Sequence, residues 1–149
     1  MSAIPRIVVG VDGSPASEQA LRWAVDYAKA VGGTVNAIAA WEYPAFYGWA
    51  GQPVPTTETV NPEELAGKTL SDTVVKVVGD SPAVRISESV MPGNAAKALL
   101  EAAEGAALLV VGSRGLGGFS GVLLGSVSRH LTEHAPCPVV VVREGQAPQ

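Results

Sequence analysis

Short runs of apolar, mostly β-branched residues alternate along the chain with longer stretches in which apolar positions recur every three or four residues. The short runs are 6–11 (RIVVGV), 34–41 (TVNAIAAW), 84–90 (VRISESV), 107–113 (ALLVVGS) and 138–143 (PVVVVR). Each has the length and composition of a strand. Between the first two, Ser14 followed by Pro15 is a helix-opening pair, a hydroxyl cap and a ring whose φ already suits the first turn. Ala20, Leu21, Ala24, Ala28 and Val31 then make one apolar face, and Gly32–Gly33 ends it. Asn61–Pro62 opens a second helix running to about Val78. The stretches 93–105 (GNAAKALLEAAEG) and 125–135 (GSVSRHLTEHA) read as a third and a fourth.

Strands alternating with helices call for parallel pairing, because each crossover helix must lie on a face of the sheet. With right-handed crossovers, this element count predicts a doubly wound α/β fold. Its sheet is five-stranded and parallel in the order 3-2-1-4-5, with helices on both faces and the reversal between strands 1 and 4. Strands 1, 4 and 5 are almost continuously apolar, as expected of strands buried on both sides. One domain spanning 1–149 is expected, with 143–149 a flexible tail and 42–60 a long irregular, mobile loop.

Composition narrows the function classes. The chain has 149 residues, 47% hydrophobic and 16% charged, with a net charge of −4. It is therefore globular, with no field to attract nucleic acid or an anionic membrane. No apolar run is long enough to span a bilayer, and the start MSAIPR lacks the apolar centre of a signal peptide. A cytoplasmic location is the expectation. The single cysteine, Cys137, excludes an internal disulfide and a cysteine-cluster metal site. It reads as a buried structural thiol. His130 and His134 stand four apart on the fourth helix without a third ligand in the sequence nearby, and read as packing or surface residues.

Ligands of a doubly wound sheet sit at the carboxyl ends of its strands, beside the reversal. Two stretches emerge there, 10–14 (GVDGS) and 112–118 (GSRGLGG). The second opens a segment, 110–128, with six glycines, four serines and only one charge, Arg114. Glycine lets backbone amides converge on an anion. The helix beginning after Gly125 adds free N–H groups, the positive end of its dipole and the hydroxyls of Ser126 and Ser128. These groups can hold a di- or triphosphate without lysine. Arg114 either adds charge or points to solvent. The lysine-bearing phosphate loop is absent, and the dinucleotide spacing fails because Ser120 stands where glycine is required. Asp12 suits a ribose hydroxyl or a phosphate-bound Mg²⁺, or else a turn that bonds its own backbone.

The spacing Gly112-x2-Gly115-x9-Gly125-Ser126 resembles the ATP-binding signature of the universal stress protein family. The opening IVVGVDGSPASEQALRWAVDYA and the ending GSVSRHLTEHAPCPVVVVR are similar to that family's two ends. The resemblance implies a Rossmann-like fold, the ATP-binding subclass and homodimers. By position it would put Gly112, Ser113, Arg114, Gly115, Gly117 and Gly118 along the phosphates, closed from the helix start by Gly125, Ser126 and Val127. Gly10, Val11 and Asp12 would lie near ribose and adenine, with Ala39 and Ala40 as the adenine wall. Ala107 departs from the acidic residue common there.

The expected function is that of an ATP-binding stress-response regulator, with ATP, with or without Mg²⁺ at Asp12, as its ligand. The alternatives are a slow Mg²⁺-dependent ATPase and a dimeric interaction module without nucleotide. No general base is evident near the phosphate site. Strand 5 is an edge in the expected order, and its uncharged run Val139, Val140, Val141, Val142 predicts antiparallel pairing with a second copy. Five of the eight aromatic residues crowd into 41–49, Trp41 to Trp49, as a self-anchored loop or a lid beside the nucleotide.

Overall fold

Among the described residues, nine elements follow one another in strict β-α alternation: β1 (Arg6–Gly10), α1 (Pro15–Val31), β2 (Thr34–Trp41), α2 (Pro62–Val78), β3 (Ile86–Pro92), α3 (Ala95–Ala102), β4 (Leu108–Gly112), α4 (Ser126–His134) and β5 (Val139–Val142). The computed structural model describes residues 4–42, 61–79, 82–113 and 126–143. All strand pairs are parallel, in the order β3-β2-β1-β4-β5. The reversal lies between β1 and β4, where Ile7 pairs with Leu108 and Val9 with Val110.

The helices start and stop where their sequences provide for it. Ser14 Oγ accepts the N–H of Ser17, Asn61 Oδ1 that of Glu63 and Asn94 Oδ1 that of Lys97. Each bond satisfies an amide that the first turn leaves without a partner. At the end of α1, Gly32 takes a left-handed φ of 72°. Gly33 has no room for a side chain, since a Cβ there would lie 2.6 Å from the Pro5 carbonyl oxygen. The far end of α3 is closed by Arg6, whose guanidinium donates to the carbonyls of Ala102 (2.9 Å) and Glu104 (2.6 Å).

The core has two layers. Val9, Leu21, Ala24, Leu70 and Val110 pack on the α1/α2 face, and Val8, Ile38, Leu99, Leu109 and Leu131 on the α3/α4 face. β1 and β4 are buried on both sides, as their apolar runs require. β5 is not: all four of its valines are half-buried, because among the described residues the strand has a neighbour on one side only. Val31, expected on the buried face of α1, is 41% exposed at the helix's last residue. β3 begins at Ile86 rather than 84 and ends at Pro92 rather than 90, because β2 continues to Trp41 and pairs with it residue by residue. α3 is shorter than expected, since the chain turns from Ala103 and Gly105 has a positive φ.

Candidate functional site

The carboxyl ends of β1, β2 and β4 open on one edge of the sheet, and the chain at each is held differently. After β1, Val11 N–H donates to the Ile38 carbonyl (2.8 Å), carrying the pairing with β2 one residue past the strand. Beyond it the GVDGS stretch folds on itself. Ser14 N–H donates to Asp12 Oδ1 (2.9 Å), Asp12 N–H to Ser17 Oγ (3.3 Å) and Ser17 Oγ–H to the Ser14 carbonyl (3.0 Å). Ser14 and Ser17 are buried. The turn-forming role of Asp12 is thus present. Its carboxylate is nevertheless exposed at the sheet's reversal, with one oxygen taken by Ser14. The backbone amides of Asp12 and Ser14 are engaged in this turn.

After β4, Ser113 N–H donates to the Val142 carbonyl (2.8 Å), extending the β4–β5 ladder, and Ser113 is buried. Ser128 Oγ donates to the Gly112 carbonyl at 2.6 Å. This bond pins the first turn of α4 against the end of β4, leaving Ser126 and Val127 exposed at the helix start. The glycine-rich segment therefore departs and returns at one place, beside the end of β1. Arg114, Gly115, Gly117, Gly118 and Gly125 lie outside the described residues, as do Tyr43 to Trp49 of the aromatic cluster.

Individual positions sort by what their side chains touch. Val11 and Ala39 are 4% and 3% exposed and belong to the α1/α2 core layer, so a ligand there would meet their backbone. Ala40 points to the opposite face and is half-buried. Gly112 is glycine for a reason the sequence does not advertise. A Cβ there would lie 2.7 Å from the Ala16 Cβ and 2.8 Å from the Ala16 carbonyl carbon, so it lets the start of α1 settle on β4. At Gly10 a Cβ would meet a Leu99 methyl at 2.8 Å, the far end of a mobile side chain. The turn Pro92–Gly93–Asn94 also borders this edge, tied to β2 by a bond from Gly93 N–H to the Trp41 carbonyl. Sequence reasoning missed it, although Gly93 before an Asn cap was the available signal.

The residues set aside on the sequence stay outside the site. His130 and His134 are exposed with ring centroids 4.4 Å apart, and no group of three or more metal-ligating side chains occurs among the described residues. Cys137 is half-buried rather than fully buried. Burial pushes its thiol above the ordinary value, only partly opposed by Arg6, which keeps it protonated and unreactive at neutral pH. No helix among the described residues is long and apolar enough to cross a membrane.

Residues 3–143 match the family model described as "Universal stress protein family". This chain belongs to the universal stress protein family. It is 36% identical over 138 residues to Universal stress protein Rv2623 of Mycobacterium tuberculosis, a match covering 93% of this chain and 45% of that one. The chain therefore spans less than half the length of that curated relative. Among solved structures, Universal stress protein UspA from Lactobacillus plantarum superposes with a TM-score of 0.74 at 21% identity, covering 96% of this chain and all of that one. A universal stress protein crystallised in complex with cAMP superposes with a TM-score of 0.64 at 28% identity, covering 95% of this chain and 98% of that one. The expected five-stranded doubly wound fold is thus the fold observed, shared with other members of the family.

Proposed function

We propose that this universal stress protein binds ATP between the end of β1 and the glycine-rich segment after β4, and acts through nucleotide-dependent shape or partner choice rather than fast turnover. The observation that carries the reading is the Ser128–Gly112 bond. It joins the start of α4 to the end of β4 at the reversal, where doubly wound sheets take their ligands. In this reading Gly112, Ser113, Arg114, Gly115, Gly117 and Gly118 face the phosphates, and Gly125, Ser126 and Val127 close the site with the free N–H groups of α4. Gly10, Val11, Asp12, Ala39 and Ala40 form the adenosine side. The relative crystallised with cAMP supports an adenine nucleotide; the density of glycines and hydroxyls after β4 favours a polyphosphate. Calorimetry with ATP, ADP, AMP and cAMP tests this, with ATP expected to bind tightest. Binding of cAMP with no binding of ATP would refute the polyphosphate site.

Asp12 is the residue present that suits Mg²⁺, its exposed carboxylate standing at the edge where the phosphates would arrive. The metal would supply charge neutralisation of the phosphates, and Asp12 would share it with phosphate oxygens and water. Asp12→Ala is expected to weaken Mg²⁺-ATP more than metal-free ATP. Equal losses assign Asp12 to the ribose, and no loss in either condition leaves it the turn role alone. Hydrolysis is expected to stay well below about 1 s⁻¹, the slow end of ordinary enzyme turnover. A faster rate that survives stringent purification would make the protein an ATPase.

A homodimer joined through β5 belongs to the same proposal. The two edges of the sheet differ in kind. β3 carries Ser87, Glu88, Ser89 and a terminal Pro92, which discourage strand addition, whereas β5 offers four half-buried valines and no charge. Antiparallel pairing of β5 with its copy would satisfy both edges about a two-fold axis. Val140→Lys and Val141→Lys, whose side chains face opposite layers, should include at least one variant that dissociates. Light scattering that finds the wild type monomeric at about 50 µM, well above a micromolar affinity, would refute the dimer.

A further inference from the structure

Helix α1 has two solvent-facing flanks of opposite character. The flank toward α2 is charged: Glu18 bonds Lys76 at 3.0 Å, and Arg22, Asp26 and Lys29 line a cleft against Val77 and Val78. At 100° per residue the other flank carries Gln19, Trp23, Tyr27 and Ala30, with no charge. Trp23 and Tyr27 are stacked there, ring centroids 5.2 Å apart and 10° from parallel, and each is 37% exposed. This flank overlooks β5, because α1 lies over β1 and β4 with α2 on one side and the edge strand on the other. Val140 and Val142 are the β5 residues that pack on this face. The result is one uncharged strip running from the aromatic stack across the valines to a strand edge that is unpaired among the described residues.

Resting on the β5 dimer proposed above, we infer that the Trp23–Tyr27 stack is the side wall of that interface and meets its counterpart on the second copy. Depletion of charge with enrichment of Trp and Tyr is the composition of an interface centre. The spacing accounts for the size of the residues. Pairing β5 with β5 leaves the two α1 helices about four strand spacings apart, roughly 19 Å, twice the ~8–10 Å of directly packed helices. Alanine or leucine on both flanks would leave that gap open; two stacked rings from each side reach into it. The two-fold axis brings like flank to like flank, so an uncharged strip is self-complementary where the charged flank of α1 would not be.

The test is sedimentation equilibrium on the full chain with Trp23→Ser/Tyr27→Ser, alongside Val140→Lys and Val141→Lys. The aromatic pair variant is expected to raise the dimer dissociation constant at least tenfold while keeping wild-type circular dichroism and ATP affinity. Tyr27→Arg, which sets like charges toward each other across the axis while leaving Trp23 in place, provides the same readout should the double variant fail to fold. A dimeric wild type that a β5 lysine dissociates but neither aromatic variant weakens overturns this inference and leaves the strand interface standing. A monomeric wild type overturns both.

Discussion

Gly112→Ala is expected to cost about 3 kcal/mol of stability, the upper end of what overpacking a tight contact costs. The added methyl would sit 2.7 Å from the Ala16 Cβ and 2.8 Å from its carbonyl carbon. That obstacle is backbone, fixed by the Ser14 cap and by the burial of Ala16 and Ser17, so α1 as a whole would have to lift from β4. For a chain of this size the loss corresponds to roughly 6–12 °C in melting temperature. Gly10→Ala is the control, because its added methyl meets the end of Leu99, which can turn aside. It should cost about 1 kcal/mol or less. Equal melting temperatures for the two variants would show that α1 is not held against β4 as described.

Gly115→Val is expected to lower ATP affinity by more than about tenfold, roughly 1.4 kcal/mol, without changing the circular dichroism spectrum. In the proposed site, a branched side chain at that point of the Gly112-x2-Gly115-x9-Gly125-Ser126 spacing would stand where backbone would approach phosphate. Calorimetry giving equal affinity for the wild type and a folded variant would remove the glycine segment from the site. The two glycine variants separate two uses of the same residue: Gly112→Ala is read in stability and Gly115→Val in binding. A motif match treats them alike.

The fold was largely legible in the sequence because its signals are local. β-branched runs, hydroxyl and amide caps followed by proline, and glycine stops each act within a turn or a strand, and the alternation of β and α leaves few topologies. Boundaries failed where a partner decided them. β3 shifted by two residues because its register is inherited from β2, and Val31 fell outside the core because it is the last residue of α1.

The site was legible in part. Composition and spacing single out the two glycine-bearing stretches as the place proposed for a ligand, since backbone approach to an anion demands that residue type. What composition could not assign was the purpose of each residue within the lips. Gly112 serves helix packing, Val11 and Ala39 are spent on the core, and the amides of Asp12 and Ser14 are closed into a turn. The bond from Ser128 to Gly112 joins residues sixteen apart, and the placement of the Trp23–Tyr27 stack over the sheet is set by the packing of α1 against β1 and β4. By itself, then, the sequence determined the elements and their order, which follow from propensities and spacing along the chain. Only the tertiary structure decided which side chains are free to act, because a group already buried or hydrogen-bonded to a residue distant in sequence has no capacity left for a ligand or a partner.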